Sequence, residues 1–142
     1  MKKLIIICLV MLLISCQAQK TNDSSLLTEE EIVSAFIENG INLEEADSTK
    51  GDVFGYKLNH VKPAVYKLNA KKLYIFEFKS EEALKKGLND FDDQTAAMNL
   101  VSFRTYEKQN ILIFYLHEQN LSSKDIPYEK EIQETLDRMI EG

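Results

Sequence analysis

Two stretches constrain this chain more than any others: LYIFEF over residues 73–78 and ILIFYL over 111–116. Alternate side chains of a strand point to opposite faces, so a run that is apolar at both parities needs cover on both sides. Such runs belong in the middle of a sheet. A more mixed run, 64–68, precedes the first across Asn69-Ala70-Lys71, and an alternating run, 100–107, precedes the second across Gln109-Asn110. Short turns holding asparagine between β-rich runs predict two hairpins. With hairpin partners adjacent and the two oily runs central, the spatial order is 64–68, 72–78, 111–117, 100–107. Every neighbouring pair in that order is antiparallel.

Helices are written around these hairpins. Thr28 with Glu31 three residues later is a capping box, and Leu27 before it can staple onto Ile32. Ile32, Val33, Phe36 and Ile37 form an apolar stripe, and Gly40 stands where a left-handed stop is wanted, with Ile41 to fold back on Phe36. This predicts a helix over 28–39. Ile41-Asn42-Leu43 reads as a short strand, ADSTKGD over 46–52 as a turn, and Phe54-Gly55-Tyr56-Lys57-Leu58 as an irregular strand or a loop. Ser80 caps a second helix with Glu81 and Glu82 at its positive end and Leu84, Leu88 and Phe91 on one face. Gly87 inside it lowers helix stability by about 1 kcal/mol relative to alanine. Pro127 suits the first turn of a third helix, whose face is Tyr128, Ile132, Leu136, Met139 and Ile140. The fold class expected is α+β: a small antiparallel four-stranded sheet with three packed helices, in the order α-β-β-α-β-β-α.

The first residues follow a different logic. Lys2 and Lys3 precede an unbroken apolar run from Leu4 to Ile14, which is too short to span a bilayer, for which about 20 residues are needed. A positive start, a short apolar run and a small residue, here Ser15, make a secretory signal. Leu13-Ile14-Ser15-Cys16 resembles the lipobox of bacterial lipoproteins. That resemblance implies cleavage before Cys16 and a diacylglyceryl group on its sulfur. Two acyl chains hold a protein firmly where one binds only marginally. The segment KLYIFEFKSEEALKKGLNDF together with NILIFYLHE is similar to small lipoproteins of low-GC Gram-positive bacteria, a resemblance that brings no catalytic residue.

The expected organisation is then a signal peptide over 1–15, a lipid-anchored tether over 16–25 and one α+β domain over 26–142. The polar tether QAQKTNDSS reaches about 30 Å when stretched. Losing the leader leaves 142 − 15 = 127 residues, with 15 basic against 23 acidic side chains, a formal charge of −8. Such a surface does not favour nucleic acid or anionic headgroups, so the membrane partnership rests on the lipid and no nucleic acid is expected. Cys8 leaves with the leader and Cys16 carries the lipid, so the exported domain has no disulfide and no thiolate site. The expected location is the outer face of the cell membrane, or the outer membrane in a Gram-negative host, where Gln17 fits the sorting pattern.

Motifs for chemistry are few. His60 and His117 show no metal-ligand spacing and read as surface or rim residues. Asn89-Asp90-Phe91-Asp92-Asp93 fails the calcium-loop pattern, with Gln94 and Thr95 where an oxygen ligand and glycine are required. No nucleophile elbow and no phosphate-binding glycine loop occurs. No catalytic residue, metal or cofactor is therefore expected. Aromatic residues crowd the predicted sheet, and two readings follow. The helices cover both faces, or part of one face is an aromatic binding surface built from Tyr66, Tyr74, Phe76, Tyr106 and Tyr115. The function expected is a membrane-anchored, extracytoplasmic, non-catalytic module that binds an envelope protein or a small molecule. The alternatives are an envelope enzyme with a carboxylate site and a regulatory lipoprotein acting on a membrane partner.

Overall fold

A computed structural model describes residues 26–118 and 125–139. Cys16, the leader, the tether and Ile140 lie outside the described residues. The fold is α+β. Its order is α1 (Glu29–Glu38), β1 (Glu44–Glu45), a 3-10 turn (Val53–Gly55), β2 (Ala64–Leu68), β3 (Lys71–Glu77), α2 (Glu81–Thr95), β4 (Phe103–Lys108), β5 (Ile111–Leu116) and α3 (Glu129–Arg138). The sheet order is β1-β2-β3-β5-β4, antiparallel throughout.

The sheet thus has five strands, not four. The central order expected from the two oily runs is the one found, and β1 is added outside it. The extended segment is Glu44–Glu45 rather than residues 41–43. Ile41 is taken by the helix stop: its N–H donates to the Phe36 carbonyl at 2.9 Å, while Gly40 N–H, at φ +81°, donates to Ile37 at 3.0 Å. These two bonds close a Schellman motif. The chain straightens only beyond it, in two glutamates that both face solvent and carry no apolar alternation.

Thr28 caps α1 as expected, its hydroxyl accepting from Glu31 N–H at 3.2 Å while Thr28 N–H donates to the Glu31 carboxylate at 2.8 Å. Ile32 and Phe36 are buried, but Ile37 is 51% exposed and does not belong to the packed stripe. The first hairpin turn is two residues, Asn69-Ala70, because Lys71 already pairs with Leu68. Both turn residues have positive φ, +48° and +66°, the sign pattern of a type I′ turn whose twist matches the strands. Pro127 stands before α3 rather than inside it; Tyr128, at φ +63°, makes the sharp entry.

Both faces of the sheet are covered. On one, α1 and α3 bring Ile32, Phe36, Ile132 and Leu136 against Leu68, Leu73, Ile75, Ile113 and Tyr115. On the other, α2 and the 53–58 segment bring Phe54, Leu58, Leu84 and Phe91 against Tyr74, Phe76, Phe78, Leu112 and Phe114. Gly87 has its explanation here. A Cβ at this position would lie 2.5 Å from Phe78 Cζ, so only glycine lets α2 approach this closely.

Asn110 locks the entry of the chain to the sheet. Its side chain is buried; Oδ1 accepts from Leu27 N–H at 2.7 Å, and Nδ2 donates to the carbonyls of Leu27 at 2.9 Å and Phe78 at 2.8 Å. A polar group is stable in a core only when satisfied in this way.

Candidate functional site

The five aromatic residues singled out by composition do not share a surface. Tyr74 and Phe76 are fully buried under α2. Tyr106 and Tyr115 are buried on the opposite side, and Tyr66 packs half-buried at the edge of that second core. Residues paired across neighbouring strands share a face. Tyr74 and Phe76 pair with Phe114 and Leu112, whereas Tyr106 pairs with Ile113 and so shares the face of Tyr115, which leaves 74 and 76 on the side opposite 106 and 115. The hydroxyls of Tyr66 and Tyr74 have structural duties instead. Tyr66 donates to Glu29, tying β2 to α1, and Tyr74 donates to Asp52, which also receives Lys72 Nζ at 2.7 Å. Burial first, and the adjacent carboxylates second, push both phenols well above their usual range, so both remain donors.

Tyr106 is the exception. It is 7% exposed, and its hydroxyl has no hydrogen-bond partner among the described residues. A buried hydroxyl without a partner costs about 1–3 kcal/mol. Burial, followed by the Glu129 carboxylate, raises its pKa, while Arg104 acts in the opposite sense. Arg104 and Glu129 close an ion pair at 2.7 Å between β4 and α3 and line the same concavity as Tyr106.

These groups line a groove of about 600 Å³ formed by Arg104, Thr105 and Tyr106 of β4 and Glu129, Lys130, Gln133 and Glu134 of α3. The walls are internally balanced. Arg104 pairs with Glu129, and Lys130 with Glu134 at 3.6 Å, one turn along the helix. The groove combines a neutral, polar rim with one unsatisfied donor in its wall. The hydroxyl oxygen is covered in this structure, so a ligand acceptor gains the bond that the free protein lacks only where the groove wall moves aside to admit it.

A second concavity, about 520 Å³, lies between the Asn59-His60 turn and the first turn of α2. Asn59 and His60 both have positive φ, at 45° and 68°. The turn is bolted down by Asn59 N–H to Asp90 at 2.8 Å and by Asn59 Nδ2 to the Ala83 carbonyl at 3.1 Å. Three of its charges are already engaged: Glu82 pairs with Lys86 at 3.0 Å, and Glu77 accepts from Glu29 N–H at 2.8 Å, whereas Lys79 has no ion pair among the described residues. His60 is exposed at its rim as expected, but His117 is buried. Its place at the end of the central strand β5 withdraws it from water, and that burial, followed by the Arg104 charge, holds its imidazole below the usual range.

Sequence reasoning placed the 100–107 run at an edge, which is half of the groove. Glu129, Lys130, Gln133 and Glu134 carry no signal, because only packing decides which outward face of α3 lies beside β4. No family model, curated protein or solved structure matches this chain. Among the described residues, no helix is long and apolar enough to cross a membrane.

Proposed function

We propose that this protein is an extracytoplasmic lipoprotein, anchored through a diacylglyceryl group on Cys16, whose α+β domain is a non-catalytic binding module. The β4–α3 groove is its recognition surface. One observation carries the binding reading: the buried Tyr106 hydroxyl, without a partner among the described residues, in the wall of an open groove whose charges are otherwise paired. Folding alone gives no reason to retain such a donor, since phenylalanine would fill the same space without the penalty.

A photo-crosslinking side chain placed at Gln133, in the chain expressed in its own host, tests the reading. The expected outcome is one reproducible adduct from position 133 and none from Asn89, which is exposed on α2 across the sheet. Equal adducts from both positions would remove the groove from consideration. The anchor is tested separately: Cys16→Ala releases the protein from the membrane and abolishes the lipid mass on the wild-type chain.

A further inference from the structure

The two edges of the sheet are built differently. The β1 edge is two residues long, and both are exposed glutamates. Shortness and charge are the usual protection of an edge against added strands. The β4 edge is six residues long, with no further strand beside it among the described residues.

The groove meets β4 along this edge. Arg104 and Tyr106 point to the α3 side of the sheet, while Thr105 points to the other, yet all three line the same groove. A concavity touching only one face would select one parity. One that takes consecutive residues of both parities opens onto the main chain itself.

Side-chain chemistry along the edge is directional. Arg104, Tyr106 and Lys108 form a row on the α3 side, and all three are donors. Arg104 is held by Glu129 yet stays half exposed; the Tyr106 hydroxyl is buried and has no hydrogen bond among the described residues, and Lys108, only 7% exposed, has no ion pair among them. A second copy of this chain fits poorly. Antiparallel self-pairing would bring two such donor rows together on one face, cation beside cation.

We propose that the β4 edge takes an extended segment of another polypeptide as a sixth strand, with carboxylates at alternate positions facing the Arg104–Tyr106–Lys108 row. This rests on the reading of the groove as a recognition surface and names the class of its ligand. Main-chain hydrogen bonds supply affinity and the alternate side chains supply selectivity, as in other strand-addition complexes.

The test uses the full lipidated chain in nanodiscs and hydrogen exchange at β4. The probe is a short, capped peptide of alternating valine and glutamate. At ten times its dissociation constant it should slow exchange at β4 about tenfold, by mass action, and leave β1 unchanged. A valine–lysine peptide should give no slowing. Versions N-methylated at alternate residues, made in both phases, separate main-chain pairing from side-chain contact. One phase should abolish protection and the other retain it, because only every second amide of an added strand faces the sheet. Retention by both phases, with loss in a Gln133→Arg chain, overturns strand addition and leaves the groove reading standing. Protection unaffected by Gln133→Arg overturns the groove reading as well. No protection by the glutamate peptide, or β4 protection that rises with protein concentration in the absence of peptide, overturns the proposal. The second outcome would assign the edge to a copy of the chain.

Discussion

The two faces of the sheet solve the same covering problem with different materials. Six of the seven phenylalanines lie on the α2 face, where Phe114 packs against Phe54, Phe76, Phe91 and Phe103 with ring centroids 4.5–5.8 Å apart. The α1–α3 face is mainly aliphatic, and it carries the polar exceptions: the Asn110 clamp, the Tyr106 hydroxyl and the groove. Aromatic crowding, the feature of the sequence that most suggested a binding surface, marks the side where ring packs on ring, with its concavities confined to the margins of α2 and the 53–58 segment. The recognition features lie on the blander one. Rings placed edge to face fill space tightly and leave little room for water or ligand. Aliphatic packing against a helix at the sheet edge leaves a groove.

The largest effect should come from breaking the ring cluster. Phe114→Ala is expected to lose about 3–5 kcal/mol in urea unfolding, the range for an aromatic ring removed from a rigid core. A loss below about 2 kcal/mol would mean that the α2 face relaxes into the space, and the contrast between the faces would disappear. On the other face, Asn110→Ala strands the amide and carbonyl of Leu27 and the Phe78 carbonyl. It should lose about 2–3 kcal/mol, with fast hydrogen exchange at Leu27. Unchanged exchange there would show that the clamp does not hold the chain entry.

Gly87→Ala probes the α2 face with a single methyl group. Helix propensity favours it by about 1 kcal/mol, but contact with the Phe78 ring opposes it, and overpacking costs about 1–3 kcal/mol. A net loss of about 1 kcal/mol is expected, recovered when Phe78→Leu is added; stabilisation by Gly87→Ala alone would show slack where the structure has none. Tyr106→Phe sharpens the comparison from the other side. Removing an unpartnered hydroxyl should leave stability unchanged or raise it by up to about 1 kcal/mol, while weakening capture of the partner crosslinked at position 133. A loss above about 1 kcal/mol would reveal a hydrogen bond to this hydroxyl and weaken the case for the groove.

The smallest effect is the pH response of His117. Its folded pKa lies below the ordinary 6.5, so the unfolded chain binds the proton more readily. Stability from this group is complete above about pH 6.5 and is lost as pH falls through the depressed folded value. His117→Gln should flatten the denaturation midpoint over that window, and an unchanged slope would mean that other groups govern it.

Much of this architecture is legible in the residues themselves. The runs 73–78 and 111–116 dictate a covered sheet with those strands at its centre, because the pleat exposes both parities and water tolerates neither. Thr28, Glu31 and Gly40 write the limits of α1, because caps act within one helical turn. Other features depended on neighbours distant in sequence. Nothing local marks Glu44–Glu45 as a strand, since a two-residue edge pairs only through its backbone. Gly87 reads as a flaw until Phe78 is seen against it. Asn110 reads as a turn residue until Leu27 is found 83 positions away. Which tyrosine hydroxyl would be left without a partner, and which helix face would stand beside the free edge, were decided only by tertiary packing. A local pattern states what each side chain must avoid, and only the assembled fold decides which groups are left to meet something else.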